Sequence, residues 1–152
     1  MISVRKVIKK FGARTQVAAL CYRLNDRKGI EVLLITSRTT RRWIVPKGWP
    51  IDGLLPHKAA AQEAFEEAGV KGQVYDTALG RYRFQNDKAD AKHLPDEAYI
   101  FPLEVSKMAK DFKEKGQRRI KWFSPKKAAM LVREPKLKKI LREFDPRLLT
   151  VA

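Results

Sequence analysis

Three carboxylates, Glu63, Glu66 and Glu67, fall within five residues of a chain that is otherwise strongly basic, with a formal charge of +16. Set on a helix they stand at i, i+3 and i+4, so their side chains converge on one face within reach of a common ion. Like charges packed this way repel unless a cation sits among them. Oxygen donors with no histidine or cysteine close by favour a hard ion, Mg²⁺ with Mn²⁺ as a substitute, over zinc. Glutamate-held magnesium in a basic protein points to phosphate chemistry. Phosphoanhydride hydrolysis needs a nucleophilic water, neutralised phosphate charge and a stabilised leaving group, and bound Mg²⁺ serves all of these needs. Glu63 and Glu67, one turn apart, are the first-choice ligands, with Glu66 as third ligand or as support to one. Glu63 or Glu66 is the expected general base. The competing explanation is an exposed acidic helix face with no ligand, and the surrounding residues decide between the two.

Those residues set the glutamates between two glycines. Pro46-Lys47-Gly48-Trp49-Pro50 reads as a loop too rich in proline for regular strand pairing. Pro56 suits the first turn of a helix reaching about Ala68, and Gly69 its C-terminal cap. Ala60, Ala64 and Ala68 make a small-residue stripe that packs on a sheet and turns the glutamates outward. Before this helix, Gln16 to Leu24 and Ile30 to Thr36 read as a hairpin around the turn Asn25-Asp26-Arg27-Lys28-Gly29, followed by a short strand Trp43-Ile44-Val45. After it, Gln73 to Phe84, Ala98 to Val105 and Arg118 to Phe123 read as strands. Helices follow from Ser124-Pro125 to about Arg133 and from Pro135 to Phe144. Gln85 to Pro95 reads as a polar loop. The order predicts one α/β domain over residues 1–152, with 1–14 as a basic N-terminal arm.

Gly48, Glu63, Glu66, Glu67, Gly69 and Val70, with Ala64 at the first aliphatic position, resemble the Nudix box, G-x5-E-x7-R-E-U-x-E-E-x-G-U, over residues 48–70. The chain departs from it twice: Leu54 stands at the first glutamate and Gln62 at the arginine. In the family those two form an ion pair that steadies the loop, so their joint absence leaves no charge unpaired and implies a differently braced loop. The resemblance implies an α/β/α sandwich around a mixed sheet with a catalytic loop-helix-loop. It also implies metal binding by Glu63, Glu66 and Glu67 with the Gly48 carbonyl. Glu97, outside the box, is a candidate additional carboxylate, weighed equally against an ordinary surface acid.

The runs Glu31 to Arg38, Arg42 to Pro46, Glu66 to Gly72 and Arg118 to Phe123 resemble the diphosphoinositol polyphosphate phosphohydrolase branch of that family, whose members also cleave diadenosine polyphosphates. The charge distribution agrees with such a substrate. Basic segments precede and follow the acidic helix, and a positive field raises the local concentration of a polyanion. Arginine forks suit phosphate oxygens, which makes Ser37, Arg38, Arg41, Arg42, Lys47 and Arg118 the substrate-binding candidates, with Arg81 and Arg83 alternating on a strand nearby. Lys136, Lys138 and Lys139 read as ordinary solvated surface. Trp43 or Trp49 can stack on an adenine, although a tryptophan in such a run more often packs. Two other functions compete: an RNA 5′-pyrophosphohydrolase with a strand-tracking groove, and a non-catalytic polyphosphate or nucleic-acid binder on the same scaffold. A pure binder of polyanions gains nothing from an acidic cluster.

Other features narrow the class. No apolar run approaches the length of a membrane span, and the first residues lack a signal-peptide core. The lone Cys21, in an apolar run, excludes an internal disulfide and suits a reducing cytosol, so a cytoplasmic enzyme with no membrane partner is expected. His57 and His93 have no partner at metal-ligand spacing.

Overall fold

The computed structural model describes residues 1–85 and 95–149. Strands β1 (Ile2–Ser3), β2 (Thr15–Asn25), β3 (Gly29–Thr36), β4 (Trp43–Ile44) and β5 (Lys47–Gly48) surround helix α1 (Val4–Lys9) and lead into α2 (Pro56–Ala68). Strands β6 (Val70–Val74), β7 (Thr77–Ala78), β8 (Gly80–Phe84), β9 (Asp96–Met108) and β10 (Ile120–Phe123) follow, then helices α3 (Pro125–Leu131) and α4 (Pro135–Glu143).

The main sheet runs β10-β3-β2-β9-β6, with β4 on β3, β5 on β2 and β8 on β9. It is mixed: β2 and β9 pair in parallel from Thr15 opposite Glu97 to Tyr22 opposite Glu104, while the other pairings are antiparallel. Both central strands are buried on both faces, and their side chains alternate between two cores. Val17, Ala19, Cys21, Tyr99, Phe101 and Leu103 face the core closed by Ala60, Ala64 and Ala68 of α2 and by Val7 of α1. Ala18, Leu20, Tyr22, Ala98 and Ile100 face the core closed by Ala128 and Ala129 of α3 and Leu137 and Leu141 of α4. The result is the α/β/α sandwich implied by the resemblance. The alanines let α2 lie close to the sheet, which fixes the position of the glutamate-bearing helix.

Several local expectations change. Residues 1–14 are not a bare arm, because β1 pairs with β7 and Val7 is wholly buried. Gln73 to Phe84 is three strands rather than one, and the Val4 amide ties the β6–β7 connection by donating to the Asp76 carbonyl at 3.1 Å. The proline-rich loop does pair: Gly48 lies opposite Val17 and Lys47 opposite Ala18, and the Ala19 amide donates to the Pro46 carbonyl at 3.0 Å. The prolines there remove donors only at their own positions and leave Lys47 and Gly48 free to join the sheet. The expected loop 85–95 lies largely outside the described residues, as does His93. Among the described residues no helix is long and apolar enough to cross a membrane.

Candidate active site

Helix α2 starts at Pro56, whose missing amide costs nothing at that position, and ends at Gly69, whose φ of 73° closes a cap on the Ala64 and Phe65 carbonyls. Within it Glu63 and Glu67 stand one turn apart, close enough for each carboxyl to shift the other. Glu67 is not on the outward face expected of the glutamates. It is 5% exposed, turned beneath the sheet end, and its Oε1 accepts a hydrogen bond from the Lys47 amide at 3.3 Å. Burial, opposed by Arg118 and reinforced by Glu63 and Glu114, pushes its carboxyl up to about 8. Glu63 is also raised, by burial first and then by Glu66. Two neighbouring carboxyls, one of them buried, resist carrying two negative charges at once.

Gly48 completes this corner. A Cβ on it would overlap the Glu63 carboxylate, so glycine leaves room for that carboxylate to lie against β5. Glu66 lies near enough to raise Glu63, with its Oε1 3.9 Å from the Lys113 ammonium. Among the described residues no three histidines, cysteines or carboxylates are already grouped as a metal site. The donor set still fits a hard cation. The Glu63–Glu67 pair is oxygen-only, and a divalent ion beside it would relieve the burial and repulsion that raise both carboxyls.

The loop after β9 is bolted to the end of this helix. The Ala109 amide donates to the Gly69 carbonyl at 2.7 Å, the Glu114 amide to the Glu66 carbonyl at 2.9 Å, and a Cβ on Gly69 would strike the Phe112 ring. Glu114 is thereby brought beside the box, near enough to raise both Glu63 and Glu67. Its Oε1 accepts from Arg118 Nε at 3.1 Å and Nη2 at 2.9 Å, and Arg118 Nη1 donates to the Thr36 carbonyl at 3.1 Å. Glu114 is a functional candidate that sequence reasoning missed, since it lies in a run of lysines. The one available signal was its position four residues before Arg118.

An open cleft of about 150 Å³ lies over Glu67, and Ser37, Arg38, Arg42, Lys47 and Arg118 all line it with Gln16, Phe84 and Gln85. Five of the six substrate-binding candidates thus come together. Arg41 does not: it adopts φ 57° and turns its guanidinium to the Gln117 carbonyl at 3.1 Å. Ser37 organises the loop, its Oγ accepting from the Arg42 amide at 3.2 Å and lying 2.8 Å from Thr40 Oγ1. Arg42 is held by a 2.8 Å ion pair with buried Glu134 and donates to the Gln85 carbonyl at 3.3 Å. The Lys47 ammonium lies 4.5 Å over the Phe84 ring. Glu97 is not among the cleft-lining residues: it accepts from Thr15 Oγ1 at 3.2 Å and pairs with Arg81 at 3.6 Å. Trp43 is packed edge-on against Phe123 at 5.1 Å, whereas Trp49, beside Gly48, is 49% exposed. Leu54 and Gln62 are both exposed, so no buried charge is stranded by the altered pair. His57 is buried 6.1 Å from the Phe101 ring, and burial holds its pKa below the usual range.

An α/β/α sandwich with a glycine-flanked glutamate helix beneath a cationic cleft defines a recognisable class. The chain belongs to the Nudix family: a NUDIX domain matches residues 14–148. It is similar to Nudix hydrolase 12, mitochondrial, of Arabidopsis thaliana, at 32% identity over 76% of this chain and 58% of the relative. It is also similar to diphosphoinositol polyphosphate phosphohydrolase 3-beta of Bos taurus, at 35% identity over 74% of this chain and 65% of the relative. The chain therefore spans about three fifths of the length of these relatives. Among solved structures, C. elegans Ap4A hydrolase shares the fold with a TM-score of 0.69 at 20% identity, over 91% of this chain and 100% of that one.

Proposed function

We propose that this chain is a Mg²⁺-dependent hydrolase of a phosphoanhydride bond in a small polyphosphate, with a diphosphoinositol polyphosphate or a diadenosine polyphosphate as substrate. The observation that carries the reading is the cleft that gathers Arg38, Arg42, Lys47 and Arg118 over buried Glu67, with Glu63 one helical turn away. Glu63 and Glu67 would hold the ion, with the Gly48 carbonyl beside them and Glu66 and Glu114 within the same corner. When bound, Mg²⁺ lowers the charge on the phosphate oxygens and the pKa of water. Arg38 and Lys47 accompany the phosphate chain, while Arg118, its side chain 8% exposed and engaged by Glu114 and the Thr36 carbonyl, positions Glu114. Glu63 or Glu66 takes the proton of the attacking water.

The relatives named as diphosphoinositol polyphosphate phosphohydrolases support the inositol substrate. The test is phosphate and nucleotide release from a diphosphoinositol polyphosphate, a diadenosine polyphosphate and a 5′-triphosphorylated RNA, with Glu67→Gln as the blank. Turnover of either small substrate that needs both Mg²⁺ and Glu67 upholds the proposal. Preference for the RNA, or salt-sensitive binding without turnover, removes it.

A further inference from the structure

Strand β6 ends the main sheet. Among the described residues β9 is its one pairing partner, so the backbone groups along its outer edge are left without a strand. Lys71, Gly72 and Gln73 are exposed there. Helix α2 packs beside this edge, and an open groove of about 360 Å³ runs between the two. Half-buried Ala61 and Phe65 give it an apolar wall, closed behind by buried Val70 and Leu103, and Lys58 and Lys71 stand at the rim. Lys58, Ala61, Gln62 and Phe65 recur at i, i+3, i+4 and i+7, a single stripe of α2. The groove shares no lining residue with the cleft over Glu67.

The charge of the groove is one-sided: among the described residues no acid lines it. On β9, Lys107 follows Leu103 and Val105 at two-residue spacing and shares their face, directly opposite Lys71 in the sheet. Like charges opposite one another destabilise a strand pair, and an acidic side chain laid along the groove relieves that repulsion. Lys58 and Lys107 are exposed and make no ion pair or hydrogen bond among the described residues. A lysine on an edge strand ordinarily deters a further strand. Here the Lys71 ammonium is folded back, 5.5 Å over the Phe65 ring, which clears the edge. A second copy of this chain suits the groove poorly. Antiparallel pairing of two β6 strands would set the Lys71–Lys107 pairs of both copies side by side, in chains that each carry +16. An extended acidic peptide meets every feature: backbone groups for the edge, an apolar side chain for Ala61 and Phe65, and acids for the lysines.

We infer that the α2–β6 groove is a docking site for an extended acidic segment of a partner protein, which adds a strand to β6, sets an apolar side chain on Phe65 and places acids at Lys58 and Lys71. The site is independent of the hydrolase reading and is tested by binding alone. The probe is a fluorescent heptapeptide, Thr-Glu-Thr-Leu-Thr-Glu-Thr, whose Glu, Leu and Glu fall on one face of a strand. Anisotropy titrations would compare it with a Lys-for-Glu version and with two copies N-methylated on alternate sets of amides. Strand addition uses one set of amides and leaves the other to solvent, so one methylated copy should bind roughly tenfold more weakly and the other as the parent does. The Lys-for-Glu version should not bind. Lys71→Glu should weaken the acidic probe roughly tenfold, with no loss of thermal stability because it removes the like-charge pair with Lys107. Arg38→Glu, at the cleft over Glu67, and Lys139→Glu, on α4, should leave binding unchanged and control for the other cationic surfaces. Absence of binding, equal weakening of both methylated copies, or loss in Arg38→Glu in place of Lys71→Glu overturns the site. A concentration-dependent dimer of the wild type that Lys71→Glu abolishes would give the groove to a second copy and overturn it equally.

Discussion

Gly48 rests against the Glu63 carboxylate so closely that a Cβ at position 48 would overlap it. The glycine at the start of the box is therefore a spacing device for the glutamate fifteen residues later. Gly48→Ala must push Glu63 aside or lift β5 from β2. We expect a loss of kcat on the order of 100-fold, as for a misplaced catalytic group. The cost to stability should be smaller, about 1–3 kcal/mol. Steady-state kinetics and thermal melts of the variant separate the two.

The raised Glu67 carboxyl gives the metal-free protein a pH dependence. The Glu67 carboxyl is raised to about 8 in the folded chain, well above its unfolded value, so the folded state binds the extra proton between the two. Stability is then greatest at and below the unfolded carboxylate range and falls as pH rises toward 8. Thermal melts of metal-free protein between pH 5 and 8 should show this decline, and Glu67→Gln, neutral throughout, should flatten it. Melting points in Glu67→Gln that fall as steeply as in the wild type would place the titration elsewhere.

Arg42 and Glu134, 92 positions apart, form a buried ion pair that ties the cleft wall to α4. Removing one partner leaves the other charged and desolvated. Glu134→Ala should destabilise by about 3–5 kcal/mol, and the double variant Arg42→Met, Glu134→Leu should recover much of that. Urea unfolding of the three variants measures the cycle.

At Gly69 the φ of 73° and the Phe112 ring both exclude a side chain. Gly69→Ala should cost at least about 1–2 kcal/mol for the left-handed backbone alone. Because the same cap anchors the 109–118 loop, activity should fall further than stability accounts for. Comparing activity at a temperature where the variant is fully folded checks this.

The parts of the fold that are local in sequence were legible, and the contacts made across long separations were not. The i, i+4 spacing placed Glu63 and Glu67 together, the alanines of α2 identified its packing face, and the aliphatic run of β2 marked it as a strand. Spacing alone did not show that Glu67 turns under β5, because that depends on Lys47 and Gly48 joining the sheet. Arg41 and Arg42 are indistinguishable as neighbouring arginines until the turn at Ser37 sends one to Gln117 and the other to Glu134. Glu114 acquires its place only through backbone bonds to the end of α2.

The central claim is that a cation binds at Glu63 and Glu67 and displaces a proton as it does so. Its most direct test is calorimetric titration of Mn²⁺ at pH 7 in two buffers of different ionisation enthalpy, which counts protons released. The account predicts one site in the wild type that releases close to one proton, with Glu67→Gln binding at least tenfold more weakly and releasing none. Binding of equal strength in Glu67→Gln, or metal uptake without proton release, would contradict it.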